Sequence, residues 1–252
     1  IKYWADVWRR LKQNKLAMVG LTIIIIAVLG TVFGFGINGY KYYEQNYDAI
    51  NVHPNTTYWF GTDDLGRDLF TRTWQGTMYS LIIGFTAAFI DLAIGVIYGG
   101  IAGMASRNVD AFMMRVAEVI YSVPYMLVVI LMSVVFSTQG QGTSLIILIV
   151  AMTITGWVPM AILVRGQVLQ LKESEYSMAA GSLGASNGWI LRKHILPNTL
   201  GPILVNLTLT IPRSIFAEAT LGFLGLGLQQ PKASLGNLAN AGLAGLPVGN
   251  FY

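Results

Sequence analysis

The stretch SEYSMAAGSLGASNGWILRKHILPN, Ser174 to Asn198, is a polar interruption between two long apolar parts of the chain. Leu16–Ile37 and Gly142–Val164 contain no charged residue, and each is longer than the roughly 20 residues that cross a bilayer as a helix. Spans of a membrane β-barrel would instead alternate in segments of about ten residues, and this pattern is absent. The sequence therefore predicts an all-α integral membrane protein in which Ser174 to Asn198 joins two spans.

The same stretch predicts two short helices that project from the membrane. Ser174 suits the N-cap of the first helix, and Glu175 falls in its first turn, where the helix dipole favours an acid. Gly184 can end this helix in a left-handed conformation, and Asn187–Lys193 restarts a helical pattern.

Two interpretations of this stretch remain open from the residues alone. Ala179 and Ala180 are small, so a partner surface could approach them closely. A structured loop without a partner fits the same residues equally well. Pro197 suits the first turn of the next span, where its missing N–H costs little.

The composition excludes several classes of function. Only 11% of the 252 residues are charged, whereas soluble domains carry about a quarter. There is no cysteine for disulfide or thiol chemistry, and His53 and His194 are too far apart in the sequence to indicate a metal site. The net charge of +4 does not indicate nucleic-acid binding and is better explained by membrane topology.

Hydropathy and charge divide the chain into segments. We expect spans near 16–37, 76–104, 116–136, 143–164 and 195–216, the last with Pro202, Pro212 and Arg213 inside it. The predicted domains are an interfacial amphipathic helix at 1–15, a first span at 16–37, an extracytoplasmic loop at 38–75, a transmembrane core at 76–217 containing the cytoplasmic loop 172–194, and an extracytoplasmic loop with a truncated C-terminal region at 218–252.

The distribution of lysine and arginine predicts the orientation. With the N-terminus in the cytoplasm, 11 of the 16 basic residues fall in cytoplasmic segments. The stretch Ser174 to Lys193 is then cytoplasmic. Five spans leave the C-terminus outside, so we expect a sixth span that is absent from this sequence.

The intramembrane charges have two readings. Charge in the bilayer is costly, so either some of these residues line a polar translocation path, or they pair structurally between helices or lie at the membrane interface. They are Asp91, Glu118, Arg213 and Glu218. An ion-coupled carrier or a channel would explain such charges, and a membrane-embedded enzyme is a weaker alternative. The sequence has no G-x-x-x-x-G-K-[ST] phosphate loop and no Ser-His-Asp or HExxH arrangement, so we expect no ATP site and no bond-making chemistry in this chain.

The spacing Ala179-Ala180-x3-Gly184-x9-His194-x-Leu196-Pro197 resembles the EAA loop of ABC importer permeases. In that family the loop forms coupling helices that dock into the cytoplasmic ATPase subunit. Met178 stands where the family often has Glu, and His194 where it often has Ile. The resemblance implies ATPase coupling by Glu173, Glu175, Tyr176, Met178, Ala179, Ala180, Gly184, Ala185, Ser186, His194 and Pro197.

Two further motifs are similar to the dipeptide and oligopeptide branch of that family. Gly61-Thr62-Asp63-Asp64-Leu65-Gly66-Arg67-Asp68 resembles its GTDxxGRD signature. Read by itself, this segment predicts a helix capped by Thr62 or Asp63, and its charges indicate internal pairing or contact with a docked protein. The run from Glu218 to Gly236 resembles EAxLSFLGLG…P…SWG, with Leu235 in place of the usual Trp.

This resemblance implies the type I ABC importer permease fold and a transport subunit rather than an enzyme. Its partners would be a second homologous permease, two cytoplasmic ATPases that hold ATP and Mg, the lipid bilayer, a peptide substrate and an extracytoplasmic substrate-binding protein. That binding protein would contact Asp63, Asp64, Arg67 and Asp68. The location would be a bacterial cytoplasmic membrane. Modified peptides and metal chelates remain alternative substrates, because similar permeases in this branch handle them.

Overall fold

The computed structural model describes residues 2–137, 145–228 and 230–245, without the side chains at 2–4, 35, 133, 136 and 137. Within these residues the chain is helical, and an isolated antiparallel bridge joins Thr62 to Asp68. Four helices are long and apolar enough to cross a membrane, and a bent helix pair raises the number to five. The predicted all-α membrane fold is therefore confirmed.

The first two helices, α1 (Lys2–Gln13) and α2 (Lys15–Leu29), are separated by Asn14. The Asn14 side chain caps α2 by accepting a hydrogen bond from Ala17 N at 3.2 Å. α2 has no buried residue, and its isoleucine side chains are exposed. A helix that is apolar on all sides and uncovered by its own chain fits lipid surroundings.

A π-helical turn at Gly30–Gly34 prolongs α2 into the short helix Phe35–Ile37. A Cβ atom on Gly30 or Gly34 would overlap the ring of Trp74. The two glycines therefore let this ring lie directly against the helix backbone, which fixes the end of the first apolar helix.

The helix α3 (Leu69–Met104) begins earlier than the start near Gly76 that the sequence predicts. The helix begins earlier because Asp68 caps its first turn. Asp68 Oδ2 accepts hydrogen bonds from the N–H of Thr71 at 2.8 Å and from its hydroxyl at 2.6 Å. The prediction of a cap by Thr62 or Asp63 is wrong, because Thr62 instead hydrogen-bonds the preceding loop.

The predicted span at 116–136 is divided between two helices, which together form one bent candidate span. α4 (Arg107–Ser122) and α5 (Tyr125–Ser137) are separated by a break, and their axes are bent by 70° between Arg107–Ser122 and Tyr125–Met132. Pro124 lies at the break, and the residue before a proline is disfavoured in helical conformation.

The next two helices, α6 (Leu145–Gly156) and α7 (Val158–Leu171), form one candidate span, Leu145–Leu171. The predicted start of this span near Thr143 lies outside the described residues. Its end extends beyond the predicted Val164, because Arg165 is held by an ion pair described below.

The predicted cytoplasmic stretch, Ser174 to Asn198, contains α8 (Glu175–Ser182) and α9 (Asn187–Ile190). α9 passes through a π-helical turn at Leu191–Ile195 into α10 (Leu196–Phe223), giving one helical run of 37 residues. The expectation of two short projecting helices is therefore half right, since only α8 is separate.

A last helix, α11 (Leu235–Gly245), forms part of the C-terminal segment. It is not among the candidate spans of the described residues. Residues 246–252 of the predicted 218–252 segment lie outside the described residues.

The chain forms two compact units. The first contains residues Ile1–Ser80 and Gln230–Tyr252, and the second contains Leu81–Gln229. α3 contributes to both. In the second unit, a core cluster forms around Val164, Val168, Ile190 and Ile195, so α7 and the second half of the stretch Ser174 to Asn198 share one core.

Glycines on α3 allow its backbone to approach α7 closely. A Cβ atom on Gly95 would lie 2.6 Å from the Met160 Cβ, and one on Gly103 would lie 2.7 Å from the Val168 Cβ. A Cβ atom on Gly99 would overlap the backbone of Ala161. Small residues of this kind let membrane helices pack by close van der Waals contact, as the four-residue spacing of the glycines indicates.

We expect Gly99→Ala to lower the free energy of unfolding by ~1–3 kcal/mol, because the added methyl group meets backbone that cannot move aside. The matched control is Gly166→Ala on α7, where nothing lies within 4 Å of the new Cβ. The control should hold or raise stability, because Ala favours a helix over Gly by about 0.5–1 kcal/mol. Thermal unfolding in detergent micelles measures both variants, and equal melting temperatures would contradict close packing.

Candidate functional site

The stretch Ser174 to Asn198 begins with α8, whose N-cap position is Ser174 as predicted. The Ser174 hydroxyl donates to the carbonyl of Leu171 at 2.6 Å and does not cap a backbone N–H of α8. It also lies 3.0 Å from the Ser177 hydroxyl, which is buried. These hydrogen bonds hold the start of α8 against the end of α7.

Gly184 ends α8 in the left-handed conformation that the sequence predicts, with φ of +87°. Ala185 N donates to the Ala180 carbonyl at 3.0 Å, and Gly184 N donates to the Gly181 carbonyl at 2.9 Å. This pair of bonds is the Schellman motif, in which a left-handed residue closes the last helical turn. A side chain at Gly184 would strain this turn, although the space around it is open.

An open groove of about 740 Å³ lies between α8 and the start of α9. Its floor is made of small residues, and its wall is aromatic. The His194 ring lies 5.0 Å from the Trp189 ring and 6.1 Å from the Tyr176 ring, measured between centroids. The lining residues are Tyr176, Ala179, Ala180, Leu183, Gly184, Ala185, Ser186, Trp189 and His194.

The groove brings most of the predicted coupling residues together but not all of them. Glu173, Glu175, Met178 and Pro197 are exposed outside its lining. Sequence reasoning missed Leu183, which is 89% exposed, and Trp189, which is 47% exposed. Their signal was present, since large apolar side chains in a polar segment indicate a covered surface.

The groove is fixed to the membrane part of the second unit. Ile190, just before the π-helical turn, and Ile195, its last residue, are buried in the core cluster. Lys172 Nζ donates to the Gly103 carbonyl at 3.2 Å, which joins the end of α7 to the end of α3. Movement of the groove therefore requires movement of helices in the core.

A bidentate ion pair joins α7 to α4. Arg165 Nε lies 2.5 Å from Asp110 Oδ1, and Arg165 Nη2 lies 2.6 Å from Asp110 Oδ2. The two side chains are 30% and 12% exposed, so the pair is partly shielded from water. Such fork-to-carboxylate pairs fix orientation as well as distance. Nothing in the local sequence joins residues 55 positions apart, so this contact was not predicted.

Charged residues of the predicted outer segment, residues 38–75, pair with one another within the first unit. Asp63 accepts hydrogen bonds from Arg67 Nε at 2.7 Å and from Arg67 N at 2.9 Å, while Arg67 Nη1 donates to Gln230 Oε1 at 3.1 Å. Arg72 Nη1 donates to the Tyr42 carbonyl at 3.1 Å. These contacts hold the outer segment to the start of α3 and to the C-terminal segment.

This pairing corrects part of the predicted contact surface for a binding protein. Arg67 is 3% exposed and Asp68 is 2% exposed, so neither side chain is available to a docked protein in this structure. Asp63 is largely buried by its two arginines. Asp64 alone of the four is well exposed, with a side chain that is 79% accessible.

The four intramembrane charges lie in different surroundings. Asp91 and Arg213 line one cavity of about 170 Å³ in the second unit. Glu118 lies outside this lining. It is exposed on α4, where its Oε2 is 3.1 Å from Arg115 Nη1. Glu218 is fully buried in α10 and also lies outside the lining. Of the four charges that are candidates for a translocation path, Asp91 and Arg213 therefore line this cavity.

Sequence reasoning missed the uncharged polar residues of the same cavity. Asn206, Thr210 and Ser214 line it from α10, and Tyr125 lines it from α5. The first three recur every four residues, which places them on one face of a helix. That spacing is the signal that would have found them.

Comparison with known proteins decides the family. Residues 93–249 match the model described as binding-protein-dependent transport system inner membrane component, which is more than half of the 252 residues. The chain belongs to this family. Residues 2–54 match a second model, described as the N-terminal TM domain of oligopeptide transport permease C.

Curated relatives of this permease family match over almost the whole chain. The dipeptide transport system permease protein DppC of Bacillus subtilis is 50% identical over 252 residues, covering 100% of this chain and 77% of the relative. The oligopeptide transport system permease protein OppC of the same organism is 48% identical over 246 residues, covering 98% and 79%. The predicted membership of the dipeptide and oligopeptide branch is confirmed.

Solved structures support the permease fold. A chain in inward-facing conformations of the MetNI methionine ABC transporter aligns with a TM-score of 0.59 and 20% identity, covering 70% of this chain and 83% of that chain. The predicted type I importer permease fold is thereby confirmed. With its apolar helices, the permease is a multi-pass membrane protein.

We expect Arg67→Ala to destabilise the permease by ~3 kcal/mol, because it leaves the carboxylate of Asp63 buried with one arginine fewer. The control is Asp64→Asn, which removes an exposed charge 3.9 Å from Arg67 and should change stability by less than about 0.5 kcal/mol. Thermal unfolding, with limited proteolysis of the outer segment, measures both. Equal resistance of the two variants to proteolysis and heat would contradict a structural role for Arg67.

Proposed function

We propose that this chain is the transmembrane permease subunit of an ATP-driven ABC importer for peptides. It would form half of a translocation pathway and couple to cytoplasmic ATPases by alternating access. The observation that carries the proposal is the groove between α8 and α9, which exposes aromatic and apolar side chains and is anchored in the membrane core. Family membership and the peptide permeases among the relatives support it.

The groove has the chemistry of a docking surface for another protein. Its small floor residues admit a close approach, and its aromatic wall offers large contact area with few rotatable bonds. An open groove of about 740 Å³ with an apolar lining suits an inserted helix or turn from a cytoplasmic ATPase. The ATPase would hold ATP and Mg, while this chain would supply no catalytic group.

The assembly follows from the same proposal. The chain would pair with a second, homologous permease, and two ATPases would dock on the cytoplasmic side. A substrate-binding protein would deliver peptide to the outer side, where Asp64 is the one predicted contact that is well exposed. The location would be the bacterial cytoplasmic membrane with the N-terminus inside, as the distribution of basic residues indicates.

The contacts of the groove suggest how ATPase motion would reach the pathway. The Ser174 and Lys172 contacts join α8 to α7 and α3, and the Arg165–Asp110 pair joins α7 to α4. α9 continues directly into α10, which carries Arg213 at the cavity. Closure of the ATPases would therefore move the groove and the cavity-lining helices together.

We expect Ala179→Trp to abolish ATP-driven uptake, because the indole ring fills the groove and excludes the ATPase. Co-purification of the ATPases and peptide uptake by membrane vesicles measure the effect. The matched control is Asn108→Trp, which adds the same bulk at an exposed residue of α4 outside the groove. Normal ATPase binding and uptake by the Ala179→Trp variant would refute docking in this groove.

We expect Asp110→Asn and Arg165→Gln each to lower peptide uptake while ATP hydrolysis persists, because α4 loses its connection to α7. The double variant should transport no worse than either single variant, because the first substitution already removes the ion pair. Uptake and hydrolysis are measured on the same vesicles. Losses of uptake that add in the double variant would show that the two residues act separately.

A further inference from the structure

The cavity in the second unit contains a buried carboxylate that the fold does not satisfy. Asp91 is 5% exposed, and its Oδ1 has no hydrogen-bond partner among the described residues. A Cβ atom on Gly156 would overlap this carboxylate, so a glycine is needed beside it. Buried charges in proteins are normally paired, because desolvating an isolated carboxylate is costly. The carboxylate therefore has the chemistry to receive a cation.

A second polar group in the cavity lacks a partner in the same way. The Tyr125 hydroxyl is buried, and no hydrogen bond to it exists within the described part of the chain. Tyr125 lines the same cavity as Asp91. A carboxylate and a phenol oxygen can together accept hydrogen bonds from one group with several N–H donors, such as an ammonium group.

Arg213 limits which cation can enter. It lines the same cavity, yet no ion pair joins it to Asp91 in the described structure. The guanidinium has donors and no acceptor, so a ligand with an acceptor next to its cationic group suits the cavity better than a bare cation does. The N-terminus of a peptide has this arrangement, since its ammonium group is followed directly by a backbone carbonyl.

The cavity size limits how much of such a ligand fits. Sites that enclose a whole drug-sized ligand have volumes of ≈ 300–1,000 Å³. This cavity has about 170 Å³, which suits one end of a larger ligand. Resting on the proposed function, we propose that the cavity binds the N-terminal ammonium group of the transported peptide, with Asp91 as the charge partner and Tyr125 as a second acceptor.

The test is direct binding of two peptides to the assembled transporter without its binding protein. The permease complex with its ATPases is placed in lipid nanodiscs and titrated with tri-alanine or with N-acetyl-tri-alanine, which lacks the ammonium group. The variants are Asp91→Asn and, as a milder change that keeps the ring, Tyr125→Phe. Glu118→Gln is the control, because its carboxylate is exposed and lies outside the cavity lining.

We expect Asp91→Asn to weaken tri-alanine binding by roughly tenfold to a hundredfold, the range for a hydrogen bond to a charged group. Acetylation of the peptide should weaken binding to the unchanged complex by a similar factor. The two changes should not add, so Asp91→Asn should bind both peptides alike. Tyr125→Phe should cause a smaller loss for tri-alanine alone, and Glu118→Gln should cause none.

Three outcomes would overturn the inference. The first is independent, additive losses from acetylation and from Asp91→Asn. The second is unchanged tri-alanine binding in both cavity variants. The third is that Asp91→Asn fails to assemble, while Tyr125→Phe and the unchanged complex each bind tri-alanine and N-acetyl-tri-alanine equally well. This result would make Asp91 a contact with the second permease. The proposed function is tested separately, by ATP-driven import of tri-alanine by the complete complex with its binding protein. Failure of that import would refute the proposed function, independently of what the cavity binds.

Discussion

The close approach of α3 to α7 is the contact on which the second unit depends. Lipid offers apolar helices as good an environment as another helix does, so the hydrophobic effect does not hold them together. Gly95, Gly99 and Gly103 instead bring the two backbones into contact, which no larger residue would permit. This contact sets the position of α7, and α7 in turn carries the Arg165 pair and leads into α8, which lines the groove.

The sequence predicted those features that depend on local chemistry. Long uncharged runs identified the membrane class, Ser174 and Gly184 marked the limits of α8, and the glycine spacing on α3 indicated packing. Each of these is decided by a few neighbouring residues, through hydropathy, capping or the left-handed conformation. The motif spacing then identified the permease branch, which the relatives confirm.

Features that depend on distant contacts could not be predicted in this way. The charges of the GTDxxGRD segment left internal pairing and contact with a docked protein both open, and the contact of Arg67 with Gln230, 163 positions away, has no local signal. Asp110 and Arg165 meet only because α4 returns beside α7. The π-helical turn that makes α9 continuous with α10 also has no local signal, since its Arg-Lys-His residues are typical of a helix end.

The continuity of α9 with α10 has a mechanical consequence. Asn187–Phe223 is one helical run of 37 residues, and a helix of that length extends about 55 Å. It is packed in the core through Ile195 and Ile203, which lie between the groove residues at its start and Arg213 further along. A helix that tilts about a packed point moves the parts on its two sides in opposite directions. Tilting of the helix at the groove would thus displace its cavity-lining part in the opposite direction.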